Sequence, residues 1–383
     1  MHNKKFNKAS LISGLNTYRI YVCLVVTLIL APIAILLSGN SAGTFFSSGN
    51  MVPVLKTSIL YMTAGIGFTY VMVGGNFDLS IGSMINVGSC LSIGMFNTFF
   101  RQFGGEAAGV GALAGAWILA LLIAMLAGCL GGLINGLLVA YGEVHSFIVT
   151  IGTQTALAGF VYTYCGGNTL SAIDSRFTDL LEKPIRKIGA TTFMKASYLD
   201  VFTIRFLITL LVVAIFAIVL LKTRWGRDLL MTGSNKEAAW QAGIHVKRKI
   251  LSTFVISGFT AALAGALFAI SMTAAVPNFG ERGISPLMLT LAATIIGGTA
   301  MTGGHGNVAN TAVAVVTIEI IFSALIIMGF GFDAQVLAAG VLLAVIVLYE
   351  AYSLYRQSLR KGIRPALLDE AAKLKQQRKQ SIK

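Results

Sequence analysis

Glu319 is the only acidic residue in the middle of a long apolar run, within VVTIEIIFSAL. A carboxylate at membrane depth is costly and by default marks a functional position. It reads as lining a solute pathway. The alternatives are a carboxyl held neutral by burial, or one hydrogen-bonded to a neighbouring helix. Asp78 stands in GGNFDLSIGS, residues 74–83, between two hydrophobic runs. Asp78 or Ser80 can accept backbone N–H groups at the start of a helix from Ile81, and this capping role is favoured over direct contact with solute. A second Gly-rich break, GGTAMTGGHGN, occupies 297–307. Irregular backbone at membrane depth survives only where protein buries it or where it lines a watery cavity. Gly75, Asn76, Asp78, Ser80, Gly297, Gly298, Thr299 and Glu319 are therefore candidate pathway residues. Ordinary tight turns at the interface are the competing reading. Both Gly-rich segments run from an apolar stretch through Gly-Gly into a polar turn, which hints at an internal repeat.

Signatures of catalysis are missing. The chain has no GxxxxGK[ST] to cradle a phosphate and no HExxH. His2, His145, His245 and His305 are scattered, so no metal site is expected, and Cys23, Cys90, Cys129 and Cys165 stand singly, as buried inert thiols do.

A different kind of feature lies at 223–249, TRWGRDLLMTGSNKEAAWQAGIHVKRK. Ser234 to Glu237 has the S-x-x-E form of a capping box, and Gly243 suits a left-handed helix end. The spacing predicts a helix of about 8 residues, near 12 Å long, too short to stand alone. With Trp240, Ala238 and Ala239 available for contact it reads as a docking element; the alternative is a connector resting on the bilayer.

The elements that must position these residues follow from composition. Of 383 residues 56% are hydrophobic and 11% charged, with mean hydropathy +0.79. Soluble domains carry about 25% charged residues, so an all-α polytopic membrane protein is expected. Apolar runs at 20–37, 51–73, 81–100, 110–140, 146–165, 201–221, 250–272, 286–300, 308–328 and 332–352 predict ten spans. The run 110–140 is long enough to be tilted, broken or partly outside the membrane. Residues 20–37 exceed a signal-peptide core of roughly 7–15 residues and read as an uncleaved first span.

The net charge of +14 does not point to nucleic acid, because of where the charges lie. The N-tail (1–19) holds 4 Lys/Arg, the loop 222–249 holds 7 and the C-tail (353–383) holds 9, together 20 of 29. These segments are expected in the cytoplasm, with both termini inside and a nearly neutral outer loop at 166–200. The C-tail is expected to lie against anionic lipid head groups.

The order GGNFDLSIGS, SFIVTIGTQTALAG (146–159), GRDLLMTGSNKEAAWQAGI (226–244) and GGTAMTGGHGNVANT (297–311) resembles the permease subunit of bacterial ATP-driven simple-sugar importers, the ribose/xylose/arabinose/galactose group. The resemblance spans roughly residues 50–350. It implies a multi-pass permease of the bacterial cell membrane working with a second permease chain, ATP-binding subunits that carry ATP and Mg²⁺, and an extracytoplasmic sugar-binding protein. No cofactor is implied on this chain. Gly233, Ser234, Asn235, Glu237, Ala238, Ala239, Trp240 and Gly243 are the positions implied to couple to the ATPase. Departures from the family pattern are Asn76 at a second Gly, where Asn tolerates left-handed backbone, together with Ser146, Ser234, Asn310 and Glu319. A nucleoside or amino-acid importer permease, a self-contained proton-coupled transporter using Asp78 or Glu319, and a structural membrane protein are the other readings.

Overall fold

The computed structural model describes residues 19–107, 109–188, 196–279 and 285–360. The basic tails expected at 1–19 and 353–383 lie mostly outside this set. Compact structure divides into Met1–Val336 and Leu337–Lys383.

All ten apolar runs form helices. These are α1 (Arg19–Leu37), α3 (Ser48–Val73), α4 (Ile81–Gln102), α5 (Val110–Ala140), α6 (Ser146–Tyr164), α8 (Ile204–Lys222), α11 (Val246–Met272), α12 (Pro286–Ile296), α13 (Val308–Ile327) and α14 (Phe332–Arg360). Short helices α2 (Ala42–Phe46), α7 (Arg176–Glu182), α9 (Arg224–Ser234) and α10 (Lys236–Gln241) connect them. Among the described residues six helices (α1, α3, α5, α8, α11, α13) are long and apolar enough to cross a membrane. The 31 residues of α5 form one unbroken helix, about 46 Å long at 1.5 Å per residue. The expected span 286–300 differs: α12 has 11 residues, about 16 Å, roughly half the hydrocarbon thickness. Gly297 and Gly298 end it where the apolar run continues.

Helix packing rests on small residues. Gly128, Gly132 and Gly136 put one face of α5 against α11, where a Cβ on Gly128 or Gly132 would collide with the carbonyls of Gly258 and Phe254. Further along α11, Gly265 meets Ile85 O, and Gly88 of α4 meets Ala262, which also touches Gly128. In lipid no hydrophobic force drives helices together, so backbone approach of this kind supplies the association. Toward one end the packing becomes aromatic, with Phe96 stacked on buried Trp117 at 4.3 Å.

That end carries the long segment 166–203. A two-residue antiparallel ladder of β1 (Leu170–Ser171) and β2 (Ala274–Ala275) ties it to the end of α11. Asn97 clamps the same segment, accepting from Ile173 N at 3.0 Å and donating to Ser171 O at 2.9 Å. Several of its charges are paired: Arg186 Nε and Lys187 Nζ lie 2.6 and 2.9 Å from Asp200, Arg176 pairs with Asp174, and Glu182 is shared by Arg205 and Lys56. Hydrogen bonds from Arg186 first, and from Lys187 and Ser197 N, hold the Asp200 carboxyl well below the usual carboxylate range. Of the cysteines, Cys90 and Cys165 are buried, Cys129 is half-buried and Cys23 is exposed on α1, contrary to the expectation of four buried thiols.

Candidate functional site: a loop helix, a glycine junction and a polar chamber

The loop 223–245 folds as two short helices. Thr223 starts α9, its Oγ1 accepting from Gly226 N at 3.2 Å. The capping box expected from Ser234 and Glu237 does not form. Ser234 is the last residue of α9 and its hydroxyl donates to Leu230 O at 2.9 Å. Asn235, in extended backbone at φ −160°, caps α10 instead, its Oδ1 accepting from Glu237 N and Ala238 N, both at 3.0 Å. The helix is six residues long rather than eight. Its end is closed as expected by Gly243 at φ +79°, with Gly243 N bonded to Trp240 O and Ile244 N to Ala239 O. Glu237, Ala238 and Trp240 face outward, Trp240 being 71% exposed, whereas Ala239 is buried and not available for contact. Beside Trp240 a groove of about 660 Å³ runs past Tyr141, Lys236 and residues 245–248. Lys247 pairs with Glu143 there at 2.7 Å, and that bond lowers the Glu143 carboxyl from its ordinary value.

Gly233 fastens this loop to both Gly-rich turns. A Cβ on Gly233 would strike Val73 O and lie 2.5 Å from Gly304 N, and Gly304 N itself donates to Val73 O at 2.8 Å. A Cβ on Gly303 would lie 2.8 Å from Gly75 Cα, and one on Gly304 would overlap Ser234. Three segments distant in sequence thus meet backbone to backbone at the end of α3. The turns share one geometry. At Gly75, φ +74°, the amides of Gly75 and Asn76 bond to Met72 O and Val71 O; Gly298 and Thr299 repeat this on Ile295 O and Thr294 O. The pattern also ends helices at Gly39, Gly243 and Gly329, so it reflects helix termination in general. Asn76 is not in left-handed backbone. Gly75 takes that role, and Asn76 Nδ2 donates to Gly74 O at 3.1 Å. Thr299 is buried with its hydroxyl unpartnered.

From Gly75 the chain turns back into the bundle and buries Asp78 and Ser80 completely. Asp78 Oδ1 accepts from Ser80 N at 3.0 Å and Ser80 Oγ at 2.5 Å, and Oδ2 accepts from Ser257 Oγ at 2.7 Å. Asn135 Nδ2 donates to Ser80 Oγ at 2.9 Å, and Thr153 Oγ1 to Asn135 Oδ1 at 2.6 Å. Asp78 therefore organises the entry to α4 and joins it to α5, α6 and α11. Ser257, Asn135 and Thr153 escaped the sequence reading, although Asn135 within LGGLINGLL was a visible polar signal.

Glu319 is brought together with none of these. Its Oε2 accepts from Thr57 Oγ1 at 3.0 Å, and both line a cavity of about 830 Å³. Lys56 and Arg205 share its wall, so it lies at the opposite end of α3 from Gly233. The candidate pathway residues thus occupy two separate places.

A bundle of membrane helices broken by Gly-rich turns, with a small capped helix on one connecting loop, defines a transport permease. Residues 50–349 match the family described as branched-chain amino acid transport system / permease component, and the chain belongs to that family. It is similar to a probable ABC transporter permease protein, YphD, of Escherichia coli (strain K12), 30% identical over 87% of this chain and 90% of that protein. The ribose import permease protein RbsC of Bacillus subtilis (strain 168) is 27% identical over 80% of this chain and 86% of its own length. The L-arabinose transport system permease protein AraH of Escherichia coli (strain K12) is 27% identical over 75% and 77% respectively. The protein is a multi-pass permease of the bacterial inner membrane.

Proposed function

We propose that this chain is the pore subunit of an ATP-driven importer and moves a monosaccharide or related small polar solute into the cell. It works with an ATP-binding subunit that carries ATP and Mg²⁺, an extracytoplasmic sugar-binding protein and a second copy or relative of this permease. The chain performs no catalysis and binds no cofactor of its own. Both termini and the loop 222–249 face the cytoplasm. The observation that carries this reading is α10, a helix too short to be stable alone that presents Glu237, Ala238 and Trp240 to a partner. Gly233, Ser234 and Asn235 root it, and Gly243 closes it. Motion imposed on α10 passes through Gly233 to Val73 and Gly304, and so to the turns that end α3 and α12. ATP state and solute delivery then bias one inward–outward equilibrium from opposite ends, as linkage requires. The support for a sugar is the similarity to ribose and arabinose permeases.

The test is a mild-detergent pull-down of the tagged chain from its own cells. An ATP-binding subunit is expected to accompany it, and to be lost when Glu237 and Trp240 are both replaced by Ala. Recovery of the chain alone, still active in proton-driven flux, would overturn the reading.

A further inference from the structure

The Gly-rich turns are filled by one another's backbone, whereas the cavity at the far end of α3 is open. Its volume of about 830 Å³ falls within the roughly 300–1,000 Å³ of small-molecule sites. Polar groups on its wall divide into two sets. One set is committed within the protein: Ser323 Oγ donates to Asn50 Oδ1 at 2.7 Å, Asn50 Nδ2 donates to Phe45 O at 2.8 Å, and Lys56 and Arg205 both turn to Glu182. The other set is open. Tyr61, Ser271, Asn278 and Gln335 make no side-chain hydrogen bond among the described residues. Glu319 has one bond, from Thr57, and further lone pairs to offer. The rings of Phe268 and Phe279, 4.5 Å apart, add an apolar face to the same wall.

We propose that this cavity is a solute-binding chamber for a neutral polyhydroxylated molecule, gripped by Glu319, Tyr61, Asn278 and Gln335 with its C–H face on Phe268 and Phe279. The assignment rests on the permease reading and adds the seat of the solute. Neutral donors and acceptors in one wall match a ring of hydroxyls, and a carboxylate can take two hydroxyl hydrogens at once in strong charge-assisted bonds. With Lys56 and Arg205 already paired to Glu182, the groups left open are neutral hydroxyls and amides and the single carboxyl of Glu319, a set suited to hydroxyls.

The chamber can be tested without transport. In the assembled importer in proteoliposomes, with Cys23→Ser to silence the exposed thiol, Val276→Cys places a reporter on the wall. Its reaction with an uncharged alkyl thiosulfonate is followed without ATP in the presence of D-ribose, L-arabinose, D-galactose or L-leucine. At least one sugar is expected to slow the reaction about tenfold, the weight of one charge-assisted hydrogen bond, and leucine is not. Glu319→Gln is expected to abolish the protection while leaving the unprotected rate unchanged. Protection by no sugar, by leucine alone, or equally in Glu319→Gln overturns the proposal. ATP-driven uptake by the same vesicles is read separately. Sugar uptake without protection removes the chamber and leaves the importer, whereas protection without ATP-driven uptake removes the importer reading and leaves the chamber.

Discussion

The two ends of α3 are built on opposite principles. At Val73 the contact is glycine against glycine, with Gly75, Gly233, Gly303 and Gly304 close enough that no side chain fits between the chains. At Lys56 the chain meets ion pairs, open hydroxyls and amides and a cavity of about 830 Å³. A close-packed backbone junction transmits displacement because it cannot absorb it. A cavity with unsatisfied polar groups can accommodate a molecule. The difference separates a region suited to coupling from one suited to holding solute, and both are joined by one 26-residue helix.

The largest effects should come from adding volume at the tight end. Gly233→Val is expected to cost about 3 kcal/mol, at the upper end of overpacking. Val276→Ile, in the cavity wall, should stay within about 0.5 kcal/mol; comparable thermal shifts for both would erase the contrast. Next, Asp78→Ala should cost about 1–3 kcal/mol by stranding the buried Ser80 and Ser257 hydroxyls, read as a lower melting temperature in detergent. Smaller again is the capping pair. Ser197 and Asp200 form a true capping box, so Ser197→Ala should cost about 1 kcal/mol. Ser234→Ala, which removes no cap, should cost under about 0.5 kcal/mol. A contrast of another kind is acid dependence at the long segment. Because the folded Asp200 carboxyl is depressed, its stabilisation is complete above the ordinary aspartate value near 3.9. It is lost as the pH falls toward the folded value. Asp200→Asn should flatten the fall in melting temperature below about pH 4.

The helices were legible in sequence because apolar length alone specifies them in lipid. The half-length of α12 was not, since Leu, Ala and Ile continue to Ile296 and only the Gly-Gly after it ends the helix. The short loop helix was legible through Glu237, Trp240 and Gly243, but its cap was misplaced by one residue. Ser234 and Asn235 are both good caps, and α9 extending through Ser234 decided between them. The placement of Asp78 at the entry to α4 followed from its position before Ile81. Neither it nor Ser80 caps the helix, however: Asp78 accepts from Ser80 N and from the Ser80 and Ser257 hydroxyls instead. Its partners Asn135, Thr153 and Ser257 come from three other helices, and no local pattern carries such contacts. The separation of Glu319 from the Gly-rich turns was likewise invisible, since only the packing of α13 along α3 sets its depth.

The central claim is that Gly233 carries motion from α10 to the turns that end α3 and α12. The direct measurement is solute uptake per ATP hydrolysed in reconstituted vesicles of the full complex, for the wild-type chain and Gly233→Ala. The ratio discounts molecules that fail to assemble. A sharp fall in the ratio, with hydrolysis continuing, is the expected result. An unchanged ratio would contradict the claim and place the coupling elsewhere.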